Sequence, residues 1–334
     1  VTVSVLYWRA AEQACAHMKF LVFGHKGWIG QQVLEHIRAA GHEPVGATAR
    51  ADDEKAVAAE LDEVKPDRVI SLIGRTRGDG ILTIDYLEQK GKLRENMRDN
   101  LWGPIVLAQL TSQRGIHCVY MGTGCIFHYD DDKRAQGNGV GFTEDDDPNF
   151  FGSAYSTCKG FTDRIMRLVF NTTALNVRIR MPITPDNSPY NFITKIVKYD
   201  KVINIPNSMT VLPALLPKLV DMSINKVTGT VNLTHPGAIS HNEVLELYKK
   251  HVDPAFTWSN FTIEEQDKIL ASARSNNLLD TERLKKLYPD VDDIHTAVEK
   301  VCIDMAKAFP EGIKPKPAAA AAATDAAAAP AACS

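Results

Sequence analysis

"KFLVFGHKGWIG" (residues 19–30) is a short apolar run that ends in glycine and continues with glycine at every third position. Helical spacing follows in "WIGQQVLEHIRAAG" and closes on Gly41. The pattern predicts a buried strand, a tight turn and the opening of a helix. In that context Gly24, Gly27 and Gly30 have separate uses: a tight turn, close approach of backbone to a pyrophosphate, and close helix–strand contact. The helix N-terminus then holds the phosphates. A plain turn would not need three glycines at this spacing. Trp28 and Ile29, between the glycines, and Gly74, which closes a later strand, join them as expected cofactor contacts.

Outward from this loop the chain alternates. "EPVGATA" reads as a second strand, "DDEKAVAAELDEVK" as a helix with acids where its dipole favours them, and "DRVISLIG" as a third strand. A mostly helical stretch runs from Thr83 to Gln113. "IHCVYMGTG" is a fourth strand, "AYSTCKGFTDRIMRLVF" a helix and "LNVRIRM" a further strand. Apolar strands alternating with helices predict an α/β fold, a Rossmann-type doubly wound parallel sheet. After Met181 prolines and asparagines become frequent, with helices expected at 213–225, 241–251, 262–271 and 280–287 and one strand in "GTVNLT". The expected organisation is an NADP-binding domain over 18–180 and a smaller C-terminal substrate-binding lobe over 181–312, interleaved with the last sheet elements. Residues 1–17 read as an N-terminal extension before a natural start at Met18. Residues 313–334, including "KPKPAAAAAATDAAAAPAACS", read as an Ala/Pro-rich tail. Both are expected to be disordered, because neither offers enough apolar surface to offset the entropy of ordering.

The 334 residues are 44% hydrophobic and 24% charged, with a net charge of -3. That balance lacks the basic stripe expected of a nucleic-acid or anionic-membrane binder. No apolar run approaches the roughly 20 residues that span a bilayer. The six cysteines are scattered, with no C-x-x-C and no zinc spacing, so no metal is expected and the chain reads as cytoplasmic and reduced.

The chemistry concentrates in two places. "YSTCK" puts Tyr155 and Lys159 on one helical face. A phenol has a pKa of about 10; a neighbouring ammonium is expected to lower it, letting it exchange a proton with a carbonyl oxygen during hydride transfer. "MGTGCIF" sets Thr123 at the end of the fourth strand, where ligands bind in open α/β sheets. Cys125, two residues on, faces the same pocket if the chain stays extended. A carbonyl at C4 of a sugar acidifies the protons on C3 and C5, and a thiol suits their removal or return. Lys195 in "NFITKI" is the candidate partner. Against these roles stand blander ones: Cys125 as a buried hydrophobe and Lys195 as a solvated helix charge. In "ATARADDE", Arg50 is placed to meet a ribose 2′-phosphate, which favours NADPH over NADH; otherwise it is a surface charge beside a helix cap.

The stretches "GHKGWIG", "GTGCIF", "PNFFGSAYSTCK", "RIRMPI", "NFITKI", "IPNSMT", "HPGAISHNEVLELY" and "RSNNLLD" together resemble the UDP-4-keto-6-deoxyglucose 3,5-epimerase/4-reductase family of UDP-L-rhamnose synthesis. This is an extended short-chain dehydrogenase/reductase group found in plants, algae and giant viruses. The likeness covers about residues 18–305. It implies that Thr123, Tyr155 and Lys159 serve NADPH-dependent reduction while Cys125 and Lys195 serve epimerisation. GDP-fucose synthase is similar in its two-residue offset from hydroxyl to thiol. The resemblance also offers Asn191 and Asn207 to the sugar or nucleotide and Arg274 to the diphosphate, each equally readable as structural. "GRTRGDGILTIDYLEQKGKLREN" departs from the plant form toward the viral one. Plant members often carry a fused 4,6-dehydratase; here a separate one is expected to supply the substrate, and a homodimer is expected.

Overall fold

The computed structural model describes residues 17–130, 134–310 and 312–313. The readings of 1–17 and 313–334 otherwise lie outside the described residues. Ile313 itself is buried and donates its N–H to Tyr248 Oη at 3.0 Å.

Six strands form one sheet: β1 (Lys19–Phe23), β2 (Glu43–Gly46), β3 (Arg68–Ser71), β4 (His117–Thr123), β5 (Ala174–Ile179) and β9 (Gly229–Asn232). Their order is β2-β1-β3-β4-β5-β9, and every pairing is parallel. This is the Rossmann-like sheet expected from the sequence. β3, β4 and β5 are buried along their whole length, whereas edge strand β2 is not. Helices on both faces explain why the central strands are continuously buried. Alternate side chains serve opposite layers. Val22, Val119 and Val177 pack with Val33 and Ile37 of α1 (Trp28–Ala39) and with Leu215 and Leu219 of α7 (Leu212–Ile224). Phe23, Val69 and Tyr120 pack with Leu61 of α2 (Glu54–Val64), Leu107 of α4 (Gly103–Gln113) and Met166 of α5 (Ala154–Val169).

The stretch read as mostly helical from 83 to 113 is broken into a 3-10 turn (Ile84–Glu88), α3 (Leu93–Met97), one π-turn (Arg98–Trp102) and α4. The rest of the chain builds a second core around α6 (Phe192–Ile196), α8 (His241–His251) and α11 (Ile294–Ala308). Short pairs β6 (Pro182–Ile183) with β8 (Thr210–Val211) and β7 (Lys201–Val202) with β10 (Ser259–Asn260) brace it. The helix expected over 262–271 is only α9 (Ile263–Asp267), followed by α10 (Glu282–Leu287). α11 is an addition to the sequence reading. Asp293 caps it, and Ile294, Ala297, Val298, Val301, Cys302 and Met305 form its buried stripe. Cys125 and Tyr155 belong to this second core, so the lobe packs directly onto the chemistry-bearing residues.

α5 is locked to β5 through a buried ion pair. Asp163 accepts from Arg178 Nε and Nη2, both at 2.8 Å, and the two side chains are 3% and 0% exposed. Asp163→Ala leaves the guanidinium buried without its counter-charge and should destabilise the fold by about 3–5 kcal/mol, read as a lower midpoint in chemical denaturation.

Candidate active site

β1 ends at Phe23, and Gly24 turns the chain with φ 81°, a conformation that costs a side chain-bearing residue energy. Gly27 donates its N–H to Gly24 O at 3.0 Å and stands as N-cap of α1 with no side chain on the first amides. Those amides are left for an anion. A Cβ on Gly30 would lie 2.3 Å from Gly24 O, so the helix can approach the strand only with glycine there. The loop lies where the sheet order reverses between β1 and β3, the position at which such sheets bind ligands. The residues therefore fit a dinucleotide pyrophosphate.

A cavity of about 330 Å³ opens from this loop. Gly24, Gly27, Trp28, Ile29, Gly30, Gly74, Thr123, Tyr155 and Lys159 all line it, so the structure brings nine of the expected residues to one wall. The Thr123 side chain bears on Tyr155 and favours its ionised form. Ser153 caps α5 by accepting from Ser156 N at 2.9 Å, which sets the helix phase that presents both Tyr155 and Lys159.

Burial, rather than the neighbouring lysine, governs ionisation here. Desolvation pushes the Tyr155 phenol up to about 12, against the Thr123 side chain and the Arg180 charge. The expected lowering by Lys159 is outweighed, because the lysine is itself buried and its ammonium lowered to about 7, with Asp163 and Cys158 opposing. Lys159 Nζ donates to Tyr120 Oη at 2.5 Å.

The chain does not stay extended after Thr123. Gly124 donates its N–H to Ile179 O at 3.0 Å, and Cys125 N donates back to Thr123 Oγ1 at 3.1 Å. The turn buries Cys125 in the second core, the cluster that also holds Tyr155. Cys125 is a disulfide cysteine, whereas Cys118, Cys158 and Cys302 are free and buried. Lys195 on α6 is buried, and desolvation with the Arg77 charge lowers its ammonium to about 8. Arg77 lines the cavity, its guanidinium 3.5 Å from the Tyr190 ring centroid.

The remaining expected residues lie off the cavity wall. Arg50 is largely exposed and holds Asp52 at 2.8 Å. The loop bearing it is shaped by buried Glu60, which accepts from Thr48 N and Ala49 N at 2.6 and 3.0 Å. Asn191 caps α6 and bonds both Thr184 and Asp186. Asn207 bridges Arg180 and Asn276. Arg274 holds Asp85 at 2.5 Å.

Arg180 is the residue that sequence reasoning passed over. It is fully buried, donating to Gly124 O (3.0 Å), Ser275 Oγ (2.9 Å) and Asn207 Oδ1 (2.6 Å), and desolvation lowers it to about 9. Asn277 Nδ2 reaches Gly124 O as well, at 2.9 Å. A Cβ on Gly124 would meet Leu279 at 2.7 Å and Arg180 at 2.9 Å, so the Thr123–Cys125 turn is fixed by its surroundings. The only advance signal was a pair of alternating arginines, Arg178 and Arg180, at a buried strand end, "RIRMPI".

A glycine loop at the switch point of a parallel sheet, joined to a Thr–Tyr–Lys set in one cavity, defines a nicotinamide-dinucleotide enzyme acting on a carbonyl or carbinol. The NAD dependent epimerase/dehydratase family matches residues 20–199, and the chain belongs to that family. It is similar to a UDP-rhamnose synthase from Acanthamoeba polyphaga mimivirus, whose crystal structure is 53% identical, aligns over 87% of this chain and 100% of that one, and superposes with a TM-score of 0.84. A bifunctional dTDP-4-dehydrorhamnose 3,5-epimerase/dTDP-4-dehydrorhamnose reductase of Arabidopsis thaliana is 40% identical over 84% of this chain and 91% of its own length. A trifunctional UDP-glucose 4,6-dehydratase/UDP-4-keto-6-deoxy-D-glucose 3,5-epimerase/UDP-4-keto-L-rhamnose-reductase of the same plant is 40% identical, over 85% of this chain but 41% of the larger protein.

Gly30→Ala should destabilise the chain by about 1–3 kcal/mol through overpacking and abolish saturable NADPH binding in a fluorescence titration.

Proposed function

We propose that this chain is a bifunctional 3,5-epimerase and NADPH-dependent 4-reductase that converts UDP-4-keto-6-deoxy-D-glucose to UDP-L-rhamnose. The observation that carries the reading is the shared cavity of the glycine loop with Thr123, Tyr155 and Lys159, with Cys125 two residues beyond Thr123 in the adjoining lobe core. Bound NADPH supplies the hydride that C4 receives. Tyr155 donates its proton to O4, Thr123 hydrogen-bonds the same oxygen, and the Lys159 ammonium stabilises the phenolate left behind. Before that step the C4 carbonyl acidifies C3 and C5. Cys125, as its thiol, and Lys195 then remove and return protons on opposite faces of the sugar, one as base and the other as acid. Lowering of the Lys195 ammonium to about 8 suits such exchange near neutrality. The 53% identity to a UDP-rhamnose synthase over nearly the whole of that protein supports the substrate. Arg50 is assigned to the 2′-phosphate of NADPH, while Asn191, Asn207 and Arg274 act by holding the substrate lobe in shape.

A 4,6-dehydratase activity is the reaction that must supply the keto sugar; the trifunctional relatives name one on the same chain. No helix among the described residues is long and apolar enough to cross a membrane, and we place the enzyme in the cytoplasm. We propose a homodimer, supported by Trp102 and by Phe161 and Leu168 of α5, which are large, apolar and exposed.

The test mixes the protein, under reducing conditions, with NADPH and UDP-4-keto-6-deoxyglucose. UDP-rhamnose is the expected product. A UDP-6-deoxy sugar with C3 and C5 unchanged would leave a reductase alone, and no NADPH oxidation would refute the reading.

Tyr155→Phe should abolish NADPH oxidation while C3 and C5 protons still exchange in D2O. Cys125→Ser should slow that exchange by about 10²–10⁴-fold, the usual worth of a general base, and exchange at the wild-type rate would remove the thiol from the mechanism. Arg50→Ala should weaken NADPH by about 1–3 kcal/mol, the worth of charged hydrogen bonds, and leave NADH unchanged. With Lys159 required as the ammonium, kcat/KM for NADPH should fall as pH rises through about 7.

A further inference from the structure

The Lys159 ammonium is a functional charge buried in the protein, and its anchor is a phenol. Tyr120 lies in β4 three residues before Thr123, 1% exposed, with its hydroxyl 2.5 Å from Lys159 Nζ. The carboxylate one turn along α5 favours the charged amine through space, but its own hydrogen bonds go elsewhere. Asp163 is engaged by Arg178 at 2.8 Å and by Asn176 at 2.7 Å. Across the cavity wall, a Cβ on Gly74 would lie 3.7 Å from Nζ and 3.3 Å from Asn100 Oδ1, and that oxygen already accepts from Arg75 N at 2.9 Å. The titratable groups facing Nζ are thus Tyr120 from β4, with Tyr155, Cys158 and Asp163 from α5, the last paired with Arg178 from β5.

We propose that Tyr120 is a positioning residue of the reductase half: its hydroxyl holds Lys159 at the cavity wall and keeps it charged. The inference rests on the reading of Lys159 given above. A phenol can do this in either proton state of the lysine. Its oxygen accepts from an ammonium, and its O–H donates to a neutral amine. Burial keeps Tyr120 itself protonated, so it stays a neutral partner throughout the working range. Val119 and Met121, its neighbours in the strand, pack on the opposite face of the sheet, while Tyr120 shares with Cys118 the face that packs with Met166 of α5.

Tyr120→Phe removes one oxygen from a packed ring and is expected to fold, which circular dichroism and the Tm verify. A hydrogen bond to the ammonium favours the charged form. Without it desolvation is opposed through space only by Asp163 and Cys158, and the pH above which kcat/KM for NADPH falls should move down by about one unit. The variant should then be roughly tenfold slower than wild type at pH 8, about the ratio of one pH unit, and closer to it at pH 6. Exchange of C3 and C5 protons in D2O should stay at the wild-type rate. A profile superimposable on wild type overturns the proposal, and so does a uniform loss at all pH values that also slows exchange, since that is a packing defect. In wild-type protein with labelled lysine, a nuclear Overhauser contact between the Lys159 ammonium and the Tyr120 ring is expected, and its absence overturns the proposal without any substitution. If wild-type protein oxidises no NADPH with the keto sugar, the functional reading itself fails; if it does and Tyr120→Phe behaves identically, only the role of Tyr120 is lost.

Discussion

One buried guanidinium holds the catalytic turn to the lobe. Arg180 leaves the end of β5 and reaches the carbonyl of Gly124, the side chain and backbone of Ser275, and the amide of Asn207. Its hydrogen-bond partners among the described residues are all neutral. A cation buried this way is stable where several well-placed hydrogen bonds replace its hydration. The arrangement fixes three separated segments at once. The turn after β4, the Asn207 corner and the 274–277 segment cannot shift independently without stripping the arginine of partners. The spacing of Thr123 from Cys125, and of both from Tyr155, is a consequence of that constraint.

The same burial sets the chemistry. Desolvation moves Tyr155 up, and Lys159 and Lys195 down, by amounts larger than any single neighbouring charge supplies. A solvent-exposed pair at the same spacing would follow the simpler expectation of a lysine acidifying a tyrosine. Buried as they are, the two amines instead sit near neutrality, where they can carry or release protons under physiological conditions. Exclusion of water by the lobe, rather than proximity alone, is therefore what tunes the site.

Much of this was legible in the chain. The glycine periodicity announced the turn that Gly24 and Gly30 make, because only backbone contact distances are at stake there and the sequence reports missing side chains directly. Tyr155 and Lys159 were legible because helical period fixes their relative direction. The turn at Gly124 was not. It depends on Arg180 and Leu279, 56 and 155 residues further along, and no local pattern reports so distant a contact. Tyr120 reads as one more aromatic in a buried strand until its hydroxyl is seen on Lys159. The break of the 83–113 stretch into short helical pieces was hidden for a related reason: the π-turn places Asn100 to hold the Arg75 backbone, a tertiary demand that overrides propensity. The stripe of α11, by contrast, was present in plain 3–4 spacing.

β9 joins the sheet beside β5 only after the chain has wandered through α6 and α7. On a ribosome, β5 would emerge with its outer edge open and stay so until some fifty further residues had been added and cleared the exit tunnel. An uncovered parallel edge is a template for foreign strands. Non-local pairing of this kind is also slow to form. The nascent chain thus passes through a stage in which its nucleotide-binding half is nearly built yet unprotected. Cells that make this protein quickly would have to shield that edge with holdase chaperones or tolerate some loss to aggregation.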